Sequence, residues 1–281
     1  KEVRKMNIVF AEELRCELSK RFDCEVILKE VRKNNGTIFH GLELKGLLKD
    51  CYPVVYVEDL EDEDIEYAVK VVEGAIEEIG PKVNMICMNR IFDFYRMASS
   101  VRYKVINTEM NRALLHKIPH RILPCKELVI VYYLVVSNNQ TVLIKNDLMK
   151  KWGVSEDELY HLASKYTKKF NHPMLRNLKL TLEDGTTMEP PFMVYKTVSD
   201  YLGASALLYK DGLMSVYEEI GDFYIVPSSI HEVLVVACKD WEDEEHLKRI
   251  VEDGNDVIVT REEQLSKKLL VFRGKEIEVV R

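Results

Sequence analysis

Residues Leu128–Val136 read LVIVYYLVV, an unbroken apolar run that is rich in β-branched and aromatic side chains. A run of this length and composition predicts a central β-strand that is covered on both faces, because a strand with one solvated face alternates apolar and polar residues. The sequence Ser-Asn-Asn-Gln at 137–140 then predicts a turn into a further strand. The second half of the chain is therefore expected to fold around a buried sheet.

The first half of the chain predicts a helix, a hairpin and a second helix. Residues 6–22 are amphipathic, and residues 24–46 form two strand patterns joined by an Asn-Asn-Gly turn at 34–36, whose residues tolerate the positive φ of a tight turn. Residues 62–80 carry apolar side chains at helical spacing, and the Gly-Pro pair at 80–81 predicts the end of that helix.

The later part of the chain alternates strand and helix patterns. Ser155 and Glu158 form a capping-box pattern, which predicts the start of a helix. Strands are predicted at 192–197, 203–209 and 230–237. The elements alternate irregularly and hairpins are frequent, which predicts an α+β fold with mainly antiparallel sheets.

Pro119 and Pro124 predict a division of the chain. We expect an N-terminal α+β subdomain over residues 1–124 and a C-terminal α+β subdomain over residues 125–281. The first contains the initial helix and the Asn-Asn-Gly hairpin. The second is expected to be built around the strands at 127–137 and 230–237.

The composition restricts the classes of partner. The net charge of −7 argues against nucleic acid and anionic membranes, because surfaces that bind phosphate are usually basic. The charges within KEVRKMNIVFAEELR argue against a signal peptide, and no apolar run approaches the roughly 18 residues of a membrane span. The six cysteines include no C-x-x-C pair and are typical of reduced thiols. We therefore expect a cytoplasmic protein that has no membrane partner.

The segment PSSIHEVLVV at 227–236 contains the residue types of a hydrolase triad. A strand over 230–237 puts Ser229 and His231 on one face and Glu232 on the other, so Glu232 would not orient the imidazole. Ser228 and Ser229 lie outside any G-x-S-x-G elbow and are predicted to begin the strand. Hydrolysis by Ser229 and His231 is an alternative that requires an acid from elsewhere in the chain.

His40 lies in the second strand of the N-terminal hairpin, on the same face as Leu42 and Leu44. A histidine on an apolar face usually finds a backbone partner, and this is the favoured interpretation. The alternative is contact with a small ligand, which would also involve Asn34 and Asn35 of the turn.

The motifs of the chain predict neither a metal nor a cofactor. His116 and His120 have helical spacing, but Pro119 is predicted to break a helix between them. Residues 58–66 are acidic without the ligand order of a calcium loop and are predicted to be a solvated helix start. Neither of the two common glycine-rich phosphate loops occurs.

Residues 145–179 are basic, with eight Lys and Arg against four acids, and they include Trp152, Tyr166 and Phe170. Such a mixture superficially suits a nucleic-acid surface. The aromatic residues nevertheless fall on the apolar stripe and are predicted to pack, while the lysines suit the negative end of the helix dipole. We therefore do not expect nucleic acid as a partner.

Long segments of the chain are distinctive: EVRKNNG with HGLEL at 30–44, YKVINTEMNRALL at 103–115, LIKNDLMKKWGVSEDELYHLA at 143–163 and YIVPSSIHEVLVV at 224–236. In these segments the chain resembles an uncharacterised bacterial family, domain of unknown function 5688, which is common in anaerobic Gram-positive bacteria. The resemblance covers nearly the whole chain. It implies a soluble intracellular protein with no assigned activity and no established catalytic residues.

The favoured functional hypothesis is a non-enzymatic interaction or regulatory module, with a protein as its possible partner. It rests on the lack of a catalytic motif, a metal-ligand set or a phosphate loop in the sequence. The alternatives are a hydrolase that uses Ser229 and His231 and a small-ligand-binding protein near the hairpin at 34–40. No cofactor is expected.

Overall fold

A computed structural model describes residues 7–47, 53–85, 91–137, 140–182 and 184–280. Helices and antiparallel sheets confirm the predicted α+β class. The chain divides into two compact units, one ending at Met97 and the other beginning at Ala98. None of the helices in the described ranges combines the length and apolar composition that crossing a bilayer requires.

The first unit contains one three-stranded antiparallel sheet and its helices. In chain order its elements are α1 (Ile8–Phe22), β1 (Glu25–Arg32), β2 (Ile38–Lys45), β3 (Val54–Tyr56), α2 (Ile65–Met85) and α3 (Phe94–Met97). The strand order is β1-β2-β3. The predicted hairpin is confirmed, with its ladder running from Glu25 opposite Lys45 to Arg32 opposite Ile38. Asn35 has the positive φ, 56°, that the turn requires.

The core of the first unit lies between its sheet and its two long helices. Apolar side chains from α1, β1, β2 and α2 form one buried cluster: Phe10, Leu14, Leu18, Val26, Leu42, Leu44, Ala68 and Val72. Gly41 allows β3 to approach β2, since a Cβ at this position would lie 2.4 Å from Val54 Cγ1. The packing of β3 beside β2 therefore depends on a residue without a side chain.

The predicted end of α2 at Gly80-Pro81 is wrong, because the helix continues to Met85. Proline removes one backbone donor from a helix, which costs stability but does not by itself terminate the helix.

The second unit contains a four-stranded sheet centred on the apolar run. Its strands are β4 (Val101–Asn107), β5 (His120–Ile122), β6 (Leu128–Ser137) and β7 (Gln140–Leu143). The order is β4-β6-β5, and β7 also pairs with β6. Residues 128–134 of β6 are all buried, which confirms the predicted central strand. Because β4 and β5 precede residue 124 and β6 follows it, the division expected there would separate paired strands.

The second unit also contains a six-stranded antiparallel sheet and a separate sheet of two short strands. The strands are β8 (Pro173–Asn177), β9 (Leu180–Thr181), β10 (Thr187–Met188), β11 (Met193–Thr197), β12 (Phe223–Val226), β13 (Val233–Ala237), β14 (Leu270–Phe272) and β15 (Ile277–Val279). The order in the six-stranded sheet is β15-β14-β12-β13-β11-β8, and β9 pairs with β10. One core cluster joins the two large sheets, since it contains Leu128 and Tyr133 of β6 with Phe223 and Val233.

The helices of the second unit are α4 (Arg112–Leu115), α5 (Asn146–Trp152), α6 (Glu156–Phe170), α7 (Lys210–Ile220) and α8 (Glu244–Val257). The predicted capping box of α6 is confirmed, because the Ser155 hydroxyl accepts the Glu158 N–H and the Glu158 carboxylate accepts the Ser155 N–H. These hydrogen bonds lower the pKa of Glu158. The strand predicted at 203–209 is wrong, since residues 203–208 form 3₁₀ turns.

Candidate functional site

The connection between β12 and β13 carries the serines and the histidine that the sequence singled out. The strand expected from residue 230 begins only at Val233, so the predicted alternation of Ser229, His231 and Glu232 between two faces does not apply. The connection is held by local turns instead. The Ser228 N–H donates to Val226 O at 2.9 Å, and the Ser229 N–H donates to Glu232 O at 3.0 Å. These local bonds replace the strand ladder over this stretch.

Ser229 and His231 contact each other through the backbone and not through the imidazole. The Ser229 hydroxyl accepts the backbone N–H of His231 at 3.0 Å. His231 Nδ1 accepts the Leu202 N–H at 3.2 Å. Because Nδ1 is an acceptor, the proton of the neutral ring lies on Nε2, which is 3.6 Å from Glu263 Oε1. The His231 ring is therefore placed between a backbone donor and a carboxylate.

The segment at 201–203 packs closely against His231. A Cβ at Gly203 would lie 2.3 Å from the His231 carbonyl oxygen, so only glycine fits there. Leu202 has a φ of 58°, and its N–H donates to the imidazole. The Tyr201 ring lies beside the His231 ring, with centroids 5.5 Å apart and an angle of 45° between the ring planes. These contacts fix the position of the His231 ring relative to the segment at 201–204.

Glu263 comes from a third segment and is itself held in place. Thr260 donates its hydroxyl to Glu263 Oε2 at 2.8 Å. The Glu263 carbonyl oxygen accepts the Ile230 N–H at 2.8 Å. Sequence reasoning missed Tyr201, Leu202 and Glu263, because nothing in the local pattern connects residues about 30 positions away from His231 along the chain.

His40, in the first unit, has a carboxylate partner. The Glu58 carboxylate accepts the His40 backbone N–H at 2.9 Å and contacts ring Nδ1 at 2.7 Å. The expected backbone partner is therefore wrong. Since an ionised carboxylate only accepts, Nδ1 carries a proton, and in the neutral ring Nε2 is then the acceptor. The His40 side chain is 25% exposed.

Glu58 reaches His40 because β3 pairs with β2 and then turns. Residues Val57–Asp59 form a 3₁₀ turn after β3, and α2 begins only at Ile65. The interpretation of residues 58–66 as one solvated helix start is therefore wrong at Glu58. Strand pairing, which a linear pattern does not contain, brings residues 18 positions apart into contact.

The hairpin turn lies near this pair. Lys33 Nζ lies 4.2 Å above the Tyr56 ring, and the Phe39 and Tyr56 rings meet edge to face at 5.5 Å. Asn34 and Asn35 lie in the turn beyond the end of the β1–β2 ladder, and Asn35 is buried. Contact of Asn34, Asn35 and His40 with a ligand stays a prediction. Within the described ranges, no group of three or more His, Cys, Asp or Glu side chains is placed to hold a metal ion.

These observations define the class: an α+β protein with antiparallel sheets, in which the His40 ring contacts Glu58 and the His231 ring lies between the Leu202 N–H and Glu263. The chain belongs to a family of unknown function, DUF5688, whose family model matches residues 8–273. This match confirms the resemblance seen in the sequence. Neither the curated proteins nor the solved structures compared with the chain match it.

Proposed function

We propose that this protein acts by binding rather than by catalysis, as an interaction or regulatory module. The observation that carries the proposal is the pair of hydrogen bonds that Ser229 and His231 accept. The Ser229 hydroxyl accepts the His231 backbone N–H, and His231 Nδ1 accepts the Leu202 N–H. The first hydrogen bond stabilises the connection between β12 and β13, and the second joins that connection to the segment at 201–204.

The same geometry disfavours the hydrolase alternative. A triad imidazole accepts the nucleophile's proton at one nitrogen while an acid orients the other. Here the acid, Glu263, faces Nε2. The remaining nitrogen, Nδ1, already accepts the backbone N–H of Leu202, which is not acidic enough to be deprotonated at neutral pH. Catalysis by Ser229 would require the Leu202 hydrogen bond to break and the imidazole to move.

The experiment compares Ser229→Ala and His231→Ala with wild type, and uses Ser228→Ala as the matched control. Each protein is assayed for hydrolysis of ester, amide and phosphoester substrates. We expect any hydrolysis by the wild type to persist in all three variants. A loss of about 100-fold or more in Ser229→Ala and His231→Ala, with Ser228→Ala active and all variants folded, would overturn the proposal.

The partner is sought by capture of the tagged protein from its source cells, followed by identification of the proteins that co-purify. A binding module retains a defined partner in stoichiometric amount, and the Ser229→Ala variant retains it as well. Recovery of the protein alone, at the concentrations present in the cell, counts against this function.

We also place the protein in the cytoplasm. The support is the state of the thiols: Cys16, Cys24, Cys125 and Cys238 are free cysteines among the described residues. Burial raises the pKa of Cys24, Cys125 and Cys238, which keeps these thiols protonated and unreactive. Free, inert thiols suit a reducing compartment. Fractionation of the source cells tests this location.

A second candidate function is the binding of a small ligand at His40. The observation in its favour is the His40–Glu58 pair, in which the carboxylate contacts Nδ1 and leaves the Nε2 side of a 25% exposed ring to a ligand. A ligand that binds only the folded protein raises the melting temperature. Fractions of cell metabolites are screened for those that raise the melting temperature of the wild type. We expect these fractions to leave the melting temperature of the His40→Ala variant unchanged. Equal stabilisation of both proteins would remove the candidate.

A further inference from the structure

Arg102 is a buried cation at the edge of the four-stranded sheet. It lies in β4, opposite Tyr133 of β6, and is only 8% exposed. Its Nη1 donates to two backbone carbonyl oxygens, Ser99 O at 2.8 Å and Val101 O at 2.9 Å. Neither Nε nor Nη2 makes a hydrogen bond to any residue that the structure describes. Three of the five guanidinium N–H groups are therefore available to an acceptor.

The charge of Arg102 has no carboxylate partner within the described ranges. Burial lowers the pKa of Arg102, and the groups that act against this effect are the hydroxyls of Tyr133, Tyr166 and Tyr209. A guanidinium nevertheless stays protonated in proteins. Buried charges are usually paired, because removal of an ion from water is costly. Arg102 is an exception to that rule.

Aromatic rings of α6 flank the guanidinium. Arg102 Cζ lies 4.8 Å from the centroid of Phe170 and 5.9 Å from that of Tyr166. Phe170 was expected to pack in the core, but it is 54% exposed. An exposed ring above a buried cation places the cation close to the surface at the C-terminal end of α6.

Three lysines of α6 lie near the rings of Tyr166, Phe170 and Tyr209. Lys165 lies 5.4 Å from Tyr166, Lys169 lies 5.4 Å from Phe170, and Lys168 lies 5.8 Å from Tyr209. In the part of the chain that the structure describes, none of the three makes an ion pair. The cluster thus gathers four cations and three aromatic rings, and none of the four cations pairs with an acidic residue that the structure describes, in a chain whose net charge is −7.

We propose that the Arg102 cluster, defined as Arg102, Lys165, Lys168, Lys169 and the rings of Tyr166, Phe170 and Tyr209, binds the oxyanion group of a small molecule. The free edge of the guanidinium matches two oxygens of a phosphate or carboxylate. The lysines attract the anion, and the exposed Phe170 ring offers a surface for the organic part of the ligand. Phosphate and carboxylate share this chemistry.

The test uses the 281-residue chain and isothermal titration calorimetry. Inorganic phosphate and succinate are titrated separately, against sodium chloride at equal ionic strength. We expect wild type to bind at least one of the two oxyanions beyond the chloride control. Arg102→Gln and the double variant Lys168→Ala/Lys169→Ala should each weaken binding by about tenfold or more. Lys150→Ala, which removes an exposed lysine on α5, should bind as wild type does.

The two variants test the proposal independently. Arg102→Gln changes a buried residue, so its fold is checked by circular dichroism. If Arg102→Gln misfolds, the double lysine variant tests the proposal instead. Binding of phosphate alone or of succinate alone identifies the oxyanion and supports the proposal. Absence of binding, or equal binding by wild type and the double variant, overturns it.

Discussion

At the residue scale, Glu127 connects segments that are distant along the chain. It is buried, and its Oε1 accepts hydrogen bonds from Asn107 Nδ2 at 2.9 Å and from Ser266 Oγ at 2.7 Å. Its Oε2 accepts from Lys268 Nζ at 2.7 Å. Glu127 therefore links the end of β4 to the segment before β14 through one carboxylate.

We expect Glu127→Ala to lower the free energy of unfolding by roughly 3 kcal/mol, because two buried donors lose their acceptor. Glu127→Gln keeps one acceptor oxygen and should cost less. Urea denaturation measures both variants. Glu252→Ala, on the exposed face of α8, is the control and should change stability by less than about 0.5 kcal/mol. Equal effects of Glu127→Ala and Glu252→Ala would contradict the role of this carboxylate.

At the element scale, local patterns determine helix starts when the stabilising contacts are themselves local. The capping box of α6 joins residues three positions apart, so the sequence contains all of it. The hairpin of β1 and β2 is likewise local, because its turn residues set the register. The strand expected at 203–209 fails for the opposite reason. Its conformation depends on the close approach of Gly203 to the carbonyl of His231.

We expect Ser155→Ala to lower the free energy of unfolding by about 1 kcal/mol, since the Glu158 N–H loses its acceptor. Ser155→Thr keeps the hydroxyl and should restore most of the stability. Thermal denaturation at neutral pH compares the three proteins. A Ser155→Ala variant as stable as wild type would show that tertiary packing alone holds the first turn of α6.

At the scale of the whole molecule, the division of the chain can be tested with fragments. Residues 98–281 contain β4, β5 and β6 together, whereas residues 125–281 lack both partners of β6 that precede residue 124. We expect the fragment 98–281 to unfold cooperatively in urea. The fragment 125–281 should aggregate or lack a cooperative transition, because removal of β4 exposes one edge of the apolar strand β6 and removal of β5 exposes the other edge at residues 129–131. Cooperative unfolding of the shorter fragment would support the boundary at residue 124.

Buried tyrosines make the second unit sensitive to alkaline pH. Burial raises the pKa of Tyr133, Tyr209 and Tyr224 to about 12 in each case, from an ordinary value of 10.0. A raised pKa contributes stability that is complete below the unfolded value and is lost as the pH rises through the folded value. We therefore expect the free energy of unfolding to fall between pH 10 and pH 12.

Urea titrations across this range measure the decline, and absorbance at about 295 nm follows tyrosinate formation. Tyr224→Phe keeps the ring and removes the titrating hydroxyl, so its stability should fall less steeply than that of wild type. Identical slopes for the two proteins would exclude Tyr224 as a contributor.

The sequence by itself determined the α+β class, the central strand β6, the hairpin at 25–45 and the start of α6, because each depends on periodicity or on contacts within a few residues. It placed His40 and His231 among the residues of interest, yet only the tertiary structure decided their partners, Glu58 and Glu263. The same is true of Arg102 and its surroundings. A side chain's charge and size are local properties, whereas its partner depends on which segments the fold brings together, and that choice is made by the packing of the whole chain.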